Sequence, residues 1–524
     1  MPASTRPVTV ALLVTLLVAA GLRFNSLDFG AGDFEARPDE TGVVLTLAAM
    51  QRAQFFPTLV LYGGGYFHPL DLFVRLWGTL LWDSGVSARV AAGDLEGVRI
   101  AARTWSSLLA LATVALVYVV GRRSRGERVG VLAAALLAVA PLAVREAHFA
   151  KADTAATAAV SLLMAALVLP RSQGRWRAVL VGAATALALS TKMLAGVVPV
   201  AAFALAWPSG APGRRVDWRA LAWGAGACTV GLVALNTFVW RYPSMSALSA
   251  RHVLNALRHA TWLPGADLVA GPLVYHTTIS LRWGVGLAFT LLALPAVVFG
   301  MMHRAGGLRL LALLTLGHWA MLLASPMVLA RFLLPALPPL AVLVAAMLVA
   351  AVDRAVALEP RRRAVLAVAA LIVTIEPLVA SFAMVRLLGR ADTRTLAGEW
   401  IDAHIAPDAR VVSWGAPPGA ADFGRPPLHG RSVQTRLPPD QWDSAGVTIV
   451  VWHHYPLPYS SDPLPNDGVG LRRLATFDPF IRGAAVRAVL EPLDAFYLPL
   501  GRFAGVERPG PRIDILTIDP GAFR

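Results

Sequence analysis

The chain has 524 residues, of which 56% are hydrophobic and only 15% are charged. Soluble domains carry about 25% charged residues, so this composition excludes an ordinary soluble protein and points to an integral membrane one. The net charge of +15 does not signal nucleic acid, because the arginines stand in short clusters between apolar runs with no basic face interleaved with aromatics.

A membrane-crossing helix takes about 20 apolar residues. In chain order, the candidate spans are 8–23, 101–121, 129–145, 154–170, 178–191, 193–208, 220–240, 284–302, 309–324, 332–352 and 364–386, eleven in all. The fifth and sixth are short because "LSTKMLAG" splits one apolar stretch, and tilt or mismatch has to accommodate them. The linkers "GRRSRGER" (121–128), "RSQGRWR" (171–177), "GRRVDWR" (213–219), "HRAGGLR" (303–309) and "DRAVALEPRRR" (353–363) are arginine-rich. All five fall on one side if the spans alternate from a cytoplasmic N-terminus, as the positive-inside rule requires. The tail then lies outside. The first segment has only Arg6 in front of it and no A-x-A site, so it reads as an uncleaved span.

Two outer regions exceed a simple connector. The first, 24–98, holds two surface-lying helices, "DETGVVLTLAAMQRAQFF" (39–56) and "HPLDLFVRLWGTLLW" (68–82), joined by "LYGGGYF" (61–67), whose glycines predict a flexible joint. The second is the tail, 387–524, a small α/β domain beside a membrane domain of 1–386. It opens on a helical pattern, "DTRTLAGEWIDAHI" (392–405), followed by strands at "ARVVSW" (409–414) and "GVTIVVWHH" (446–454). A further surface helix is expected at "RHVLNALRHA" (251–260). The single cysteine, Cys228, allows no intrachain disulfide, so an exported domain must be stable through packing alone.

The polar residues near the spans gather at the predicted outer side. Glu376 is the main charge inside a span, whereas an ion-coupled transporter places charges at the midplane. In "ARPDETGVV" (36–44), Pro38 followed by Asp39 and Glu40 suits a helix N-terminus. A carboxylate there also suits a general base acting on a hydroxyl, with Asp39 as the base and Glu40 orienting it, contacting sugar or helping to bind a cation. Arg145, His148, Lys151 and Asp153 fall within nine residues; they read as snorkelling and capping groups or as a ligand site. Lys192 and Arg331 are isolated cations on the outer side, suited to a phosphate, and His276 beside Tyr275 suits phosphate or sugar.

These segments together resemble a known family. "RPDE" (37–40), "YFHPLDLF" (66–73), "LLAVAPLAVREAHFAKADTAA" (136–156), "STKMLAG" (190–196), "ARFLLPALPPLA" (330–341) and "DTRTLAGEWIDAHIAP" (392–407) follow the order of landmarks in the GT-C glycosyltransferases of glycosyltransferase family 39. That family includes bacterial relatives of protein O-mannosyltransferases and of the lipid A aminoarabinose transferase. Asp71 stands where the family has an apolar residue. The resemblance implies a GT-C fold and transfer of a sugar from a polyprenyl-phosphate donor to an acceptor hydroxyl on a protein, lipid or glycan. It further implies the outer face of a bacterial cytoplasmic membrane. By carry-over Asp39 is the catalytic carboxylate and Asp153 a second acid in the sugar site, while Lys192 and Arg331 hold the donor phosphate. Arg145, His148, Tyr66 and His68 are further substrate contacts. Some superfamily members use a divalent cation, so one is a possible cofactor, although no dense ligand set stands out. The rival readings are a flippase for lipid-linked glycans, which would show repeated halves and polar spans, and a non-catalytic envelope-assembly protein, which would tolerate Asp39→Asn.

Overall fold

The computed structural model describes residues 6–30, 37–52, 62–81, 85–170, 174–192, 194–207, 216–258, 271–303, 306–417, 421–428, 430–435, 437–493 and 496–519. These form two compact units. The larger takes the described parts of Met1–Leu27, Gly42–His259 and Gly271–Phe382, and the smaller those of Asp28–Thr41 and Ala383–Arg524.

In the larger unit α1 (Arg6–Phe24) is followed by α2 (Pro38–Gln51), whose first turn belongs to the smaller unit, then by α3 (Gly64–Leu81) and α4 (Gly85–Ala91). Next come α5 (Leu95–Arg125), α6 (Glu127–Ala138), α7 (Pro141–Ala147), α8 (Ala152–Leu167), α9 (Gly174–Lys192), α10 (Val197–Ala206) and α11 (Trp218–Leu235). Beyond α12 (Thr237–Arg241) and α13 (Pro243–Arg258), α14 (Pro272–Tyr275) passes through a π turn (His276–Leu281) into α15 (Arg282–Val285). The unit continues with α16 (Leu287–Met302), α17 (Gly306–Leu323), a 3-10 turn (Ala330–Ala336), α18 (Leu337–Ala355) and most of α19 (Glu359–Leu388).

Local chemistry sets these boundaries. Asp94 and Asp217 cap α5 and α11 by accepting from Gly97 N and Ala220 N. Buried Arg23 of α1 donates to the carbonyls of Leu137 (3.0 Å) and Ala138 (2.8 Å), satisfying the C-terminal end of α6.

The expected spans overlap helices, some such as 129–145 and 220–240 running over two each, and the chain is a polytopic α-helical membrane protein. By length and composition, however, five of the described helices are long and apolar enough to cross, or seven if two bent pairs each count as one span. The sequence reading exceeds that number because Val8–Phe24, Ala152–Leu167 and Val197–Ala206 are shorter apolar helices, and because α9 (Gly174–Lys192), expected as the span 178–191, is not among the helices that meet the test.

Several expectations need correction. The glycines of 61–67 form a close contact rather than a flexible joint. A side chain at Gly63 would overlap the carbonyl oxygen of Ser190, and one at Gly64 that of Leu235, so the start of α3 lies directly on α9 and α11. Asn236 secures it by accepting from Gly64 N (3.3 Å) and donating to Ser190 Oγ (2.7 Å). The helix expected at 39–56 ends at Gln51, and 53–56 lie outside the described residues, as does the end of 251–260. The out-of-family Asp71 sits on α3 and is paired with Arg75 (2.9 Å) and Gln51 (2.5 Å). Glu376, the main charge expected inside a span, is paired. It accepts from Arg282 (2.6 Å) and from Leu287 N (2.7 Å), at the first residue of α16.

The smaller unit carries a five-stranded sheet made of β1 (Val411–Trp414), β2 (Val433–Thr435), β3 (Ile449–His454), β4 (Leu471–Phe477) and β5 (Arg512–Ile518), in the order β2-β1-β3-β5-β4. The pairs of β1 with β2 and β3 are parallel, and those of β5 with β3 and β4 are antiparallel. Helix α20 (Thr393–His404) buries Ala397 and Ile401 against Val411, Val451, Ile513 and Ile515 on one face. Trp442 and Val447 cover Val412, Val450 and Leu516 on the other. β1 and β3 are therefore near-continuous buried runs, as strands covered on both faces are.

Candidate active site

In the larger unit, "VREAHFAKAD" makes the sharp corner between α7 and α8, and its charges are buried instead of snorkelling. Arg145, Glu146, Lys151 and Asp153 are each about 1% exposed. Glu146 lies between Lys151 Nζ (3.1 Å) and Arg145 (3.7 Å), and Lys151 Nζ also stands 4.7 Å above the Phe149 ring. Asp153 does not cap its own helix. Its Oδ1 takes the ammonium of Lys192, the last residue of α9, while its Oδ2 is buried with no hydrogen-bond partner among the described residues. A buried carboxylate oxygen of that kind costs free energy until something donates to it.

The 3-10 turn packs against α7, α8, α17 and the π turn, and it carries Arg331 close enough to Asp153 and Lys192 to act on both charges. Its neighbour Phe332 places a ring 4.7 Å from Lys192 Nζ. His318 on α17 approaches the Phe332 carbonyl at 2.7 Å and thereby fixes the turn. In the π turn, His276 is buried, with Nδ1 2.9 Å from Ser280 Oγ and Nε2 lacking a partner among the described residues. π turns concentrate at functional sites, and His276 also stacks edge-on against Trp319 at 6.4 Å.

The structure thus brings Asp153, Lys192, Arg331, Lys151 and the His318–Phe332 pair into one buried cluster. His276 lies beside it on the π turn that packs against the 3-10 turn. Tyr66 is buried in the first turn of α3, against the end of α9 just before Lys192; His68 is half-exposed, 3.5 Å from Thr237. His148 has a bracing position. Its ring nitrogens face the carbonyls of Val144 (2.8 Å) and Asn25 (3.0 Å), leaving neither for a ligand. Arg145 lies 3.7 Å from Glu146. Sequence reasoning missed Glu146, although it lies within the quoted run. It also missed His318, whose signal was a lone histidine in the apolar "LTLGHWAMLL".

Asp39 and Glu40 stand in the first turn of α2, within the smaller unit. Glu40 is buried and Asp39 partly exposed. Arg37 begins the helix, with its carbonyl accepting from Thr41 N (3.0 Å) and Thr41 Oγ1 (3.2 Å).

The same unit contains a Ser460–His453–Asp422 line, with His453 2.7 Å from both Ser460 Oγ and Asp422 Oδ1. Ser460 and His453 are no more than 1% exposed, and Ser460 Oγ is also bonded to Tyr497 (2.6 Å). No substrate carbonyl can reach that serine, so the line serves packing rather than nucleophilic catalysis. Among the described residues no group of three His, Cys, Asp or Glu side chains could hold a metal ion.

Residues 92–240 match the family model described as dolichyl-phosphate-mannose-protein mannosyltransferase. Among curated proteins no significant match is found. Among solved structures, ArnT from Cupriavidus metallidurans bound to undecaprenyl phosphate superposes with a TM-score of 0.53 at 16% identity, over 83% of this chain and 86% of that one. The archaeal oligosaccharyltransferase AglB from Archaeoglobus fulgidus, in complex with an inhibitory peptide and a dolichol-phosphate, gives 0.52 at 12% identity over 86% and 70%. The helical architecture, the small C-terminal sheet and these likenesses agree, and the chain shares the fold of these two structures.

Proposed function

We propose that the chain is an integral-membrane glycosyltransferase that moves a sugar from a polyprenyl-phosphate donor to an acceptor hydroxyl. Its reaction face is the outer side of a bacterial cytoplasmic membrane, with the N-terminus cytoplasmic. The observation that carries this reading is the buried cluster in which Lys192, Arg331 and Lys151 act on Asp153, whose Oδ2 has no donor among the described residues. Cations out of bulk water suit a lipid phosphate, and an unpaired carboxylate oxygen suits a sugar hydroxyl. The lipid ligands of the two structural neighbours, undecaprenyl phosphate and a dolichol-phosphate, support a donor of that class.

The chemistry is a single displacement. Asp39 removes the proton of the acceptor hydroxyl, whose oxygen forms a bond to the anomeric carbon. The bond from that carbon to the phosphate oxygen breaks, and the electron pair leaves on the lipid phosphate, where Lys192 and Arg331 stabilise it. The configuration inverts. No step is routed through a metal ion.

The test is purified protein in nanodiscs with a panel of undecaprenyl-phosphate sugars, comparing wild type with Asp39→Asn, each with and without EDTA. Transfer by the wild type that is lost in the variant, with both proteins folded, is the expected result. Equal transfer by both would remove Asp39 from the mechanism, and no transfer from any donor would remove the reading itself.

A further inference from the structure

The smaller unit contains a chain of buried contacts that ends two residues from Asp39. The Arg37 side chain is buried, over the Phe29 ring (4.7 Å) and against Gly30, where the backbone has φ +64° and an added side chain would overlap the guanidinium. Arg37 Nη2 lies 3.7 Å from Asp392 Oδ2. Asp392 is itself clamped by Arg394, which donates from its backbone N (2.9 Å), Nε (2.9 Å) and Nη2 (2.7 Å). Asp392 caps α20, whose far side is packed into the sheet core. Thr393 is bolted to the loop entering β5: its N donates to Pro509 O (3.0 Å) and its Oγ1 to Pro511 O (2.6 Å). Gly510 there takes φ +105°, and a side chain would overlap Thr393. Arg394 Nη1 also reaches the Phe423 carbonyl (2.8 Å). The links from β5 to Asp392 are short, directional hydrogen bonds, and the last one, to Arg37, is a buried ion pair at 3.7 Å.

We propose that the C-terminal α/β domain is the mount of the catalytic carboxylate. Asp392, held by Arg394, fixes Arg37 and with it the first turn of α2 on which Asp39 stands. Arg37, Asp392 and Arg394 are positioning residues that touch no substrate. A mount has a physical reason to exist here, since a first helical turn lacks internal N–H partners and frays unless tied down. A base displaced by about 1 Å can lose about 10²-fold in rate. The catalytic half of this proposal rests on the role given to Asp39 above.

The experiment uses the full chain in nanodiscs and has two arms. Hydrogen exchange is followed at the amides of residues 41–45 and in β3 and β5, for Arg37→Gln, Arg37→Lys and Asp392→Asn. The two charge-removing variants should exchange about tenfold faster in 41–45 while the strands stay protected, and Arg37→Lys should fall between. Wild-type exchange in both would overturn the mount, and Arg37→Gln keeps the test valid if Asp392→Asn fails to fold. In the second arm, turnover with the donor accepted by the wild type should drop about 10²-fold in kcat in Arg37→Gln, with KM for the donor little changed. A loss carried by KM would overturn the positioning role. Should the wild type transfer no sugar at all, the glycosyltransferase reading falls, and the exchange arm still decides the mount on its own.

Discussion

Two buried aspartates, each about 1% exposed, solve the same problem in opposite ways. Asp392 is closed: Arg394 meets both of its oxygens from backbone and side chain, and Arg37 supplies a second cation. Asp153 is open, with one oxygen on Lys192 and the other facing no donor among the described residues. A fold stabilises a buried carboxylate most simply by saturating it, as at Asp392. Leaving one unsaturated among three cations costs stability that packing does not require. On the proposed function, the contrast separates a charge used for construction from one kept for a ligand.

The sharpest way to break this contrast is through turnover. Asp39→Asn removes the proposed base and should lower kcat by about 10²–10⁴-fold. Asp153→Asn should lower transfer by about 10²–10³-fold, with the protein monodisperse and its helical content unchanged. A closed, constructional aspartate would give the reverse pattern, with little effect on kcat per folded molecule and a large loss of folded protein.

Stability tests the same point at smaller scale. Lys192→Met strands Asp153 in the interior, and breaking such a pair costs about 3–5 kcal/mol. Adding Asp153→Asn removes the stranded charge, so the double variant should melt above the single one in a detergent-based thermal shift assay. Additive losses would mean that the two side chains do not depend on each other.

The sequence made the open site more legible than its closed counterpart. Asp153, Lys192 and Arg331 stood out because isolated charges are rare in apolar surroundings, and their convergence needed only the helix order. Asp392 was read as part of a helical pattern in the tail, and nothing in its spacing announced Arg37, which lies 355 residues earlier in the numbering. Likewise β1, β3 and α20 were visible as local patterns. β5 was not, because its "RIDILTI" interrupts the apolar run with Asp514, a residue matched only in three dimensions. The glycines at 63–65 were misread for a related reason. A glycine run signals freedom in isolation and close approach in a packed bundle, and only the neighbouring backbone distinguishes the two.

That last distinction can be tested next to the open site. A side chain at Gly65 would come within 2.9 Å of Ser190, two residues before Lys192. Gly65→Ala should therefore cost about 1–3 kcal/mol through overpacking. By shifting the end of α9 it should also weaken donor binding, read as a higher KM. An unchanged melting temperature and KM would restore the flexible-joint reading.

The smallest effect probes whether closed carboxylates behave as construction should. Burial pulls the Asp514 carboxyl up, but hydrogen bonds from His454 and Thr476 and the guanidinium groups of Arg512 and Arg473 outweigh it and hold the group below the ordinary carboxylate range. Because the folded pKa is depressed, the stabilisation is fully present above the unfolded value of about 3.9 and disappears as the pH falls through the folded one. Asp514→Asn lacks this contribution at every pH. Hydrogen exchange in β4 and β5 should therefore be faster in the variant at neutral pH, and the difference from wild type should shrink on acidification below about pH 4. A gap that persists unchanged into acid would show that the strands depend on the shape of Asp514 rather than on its charge.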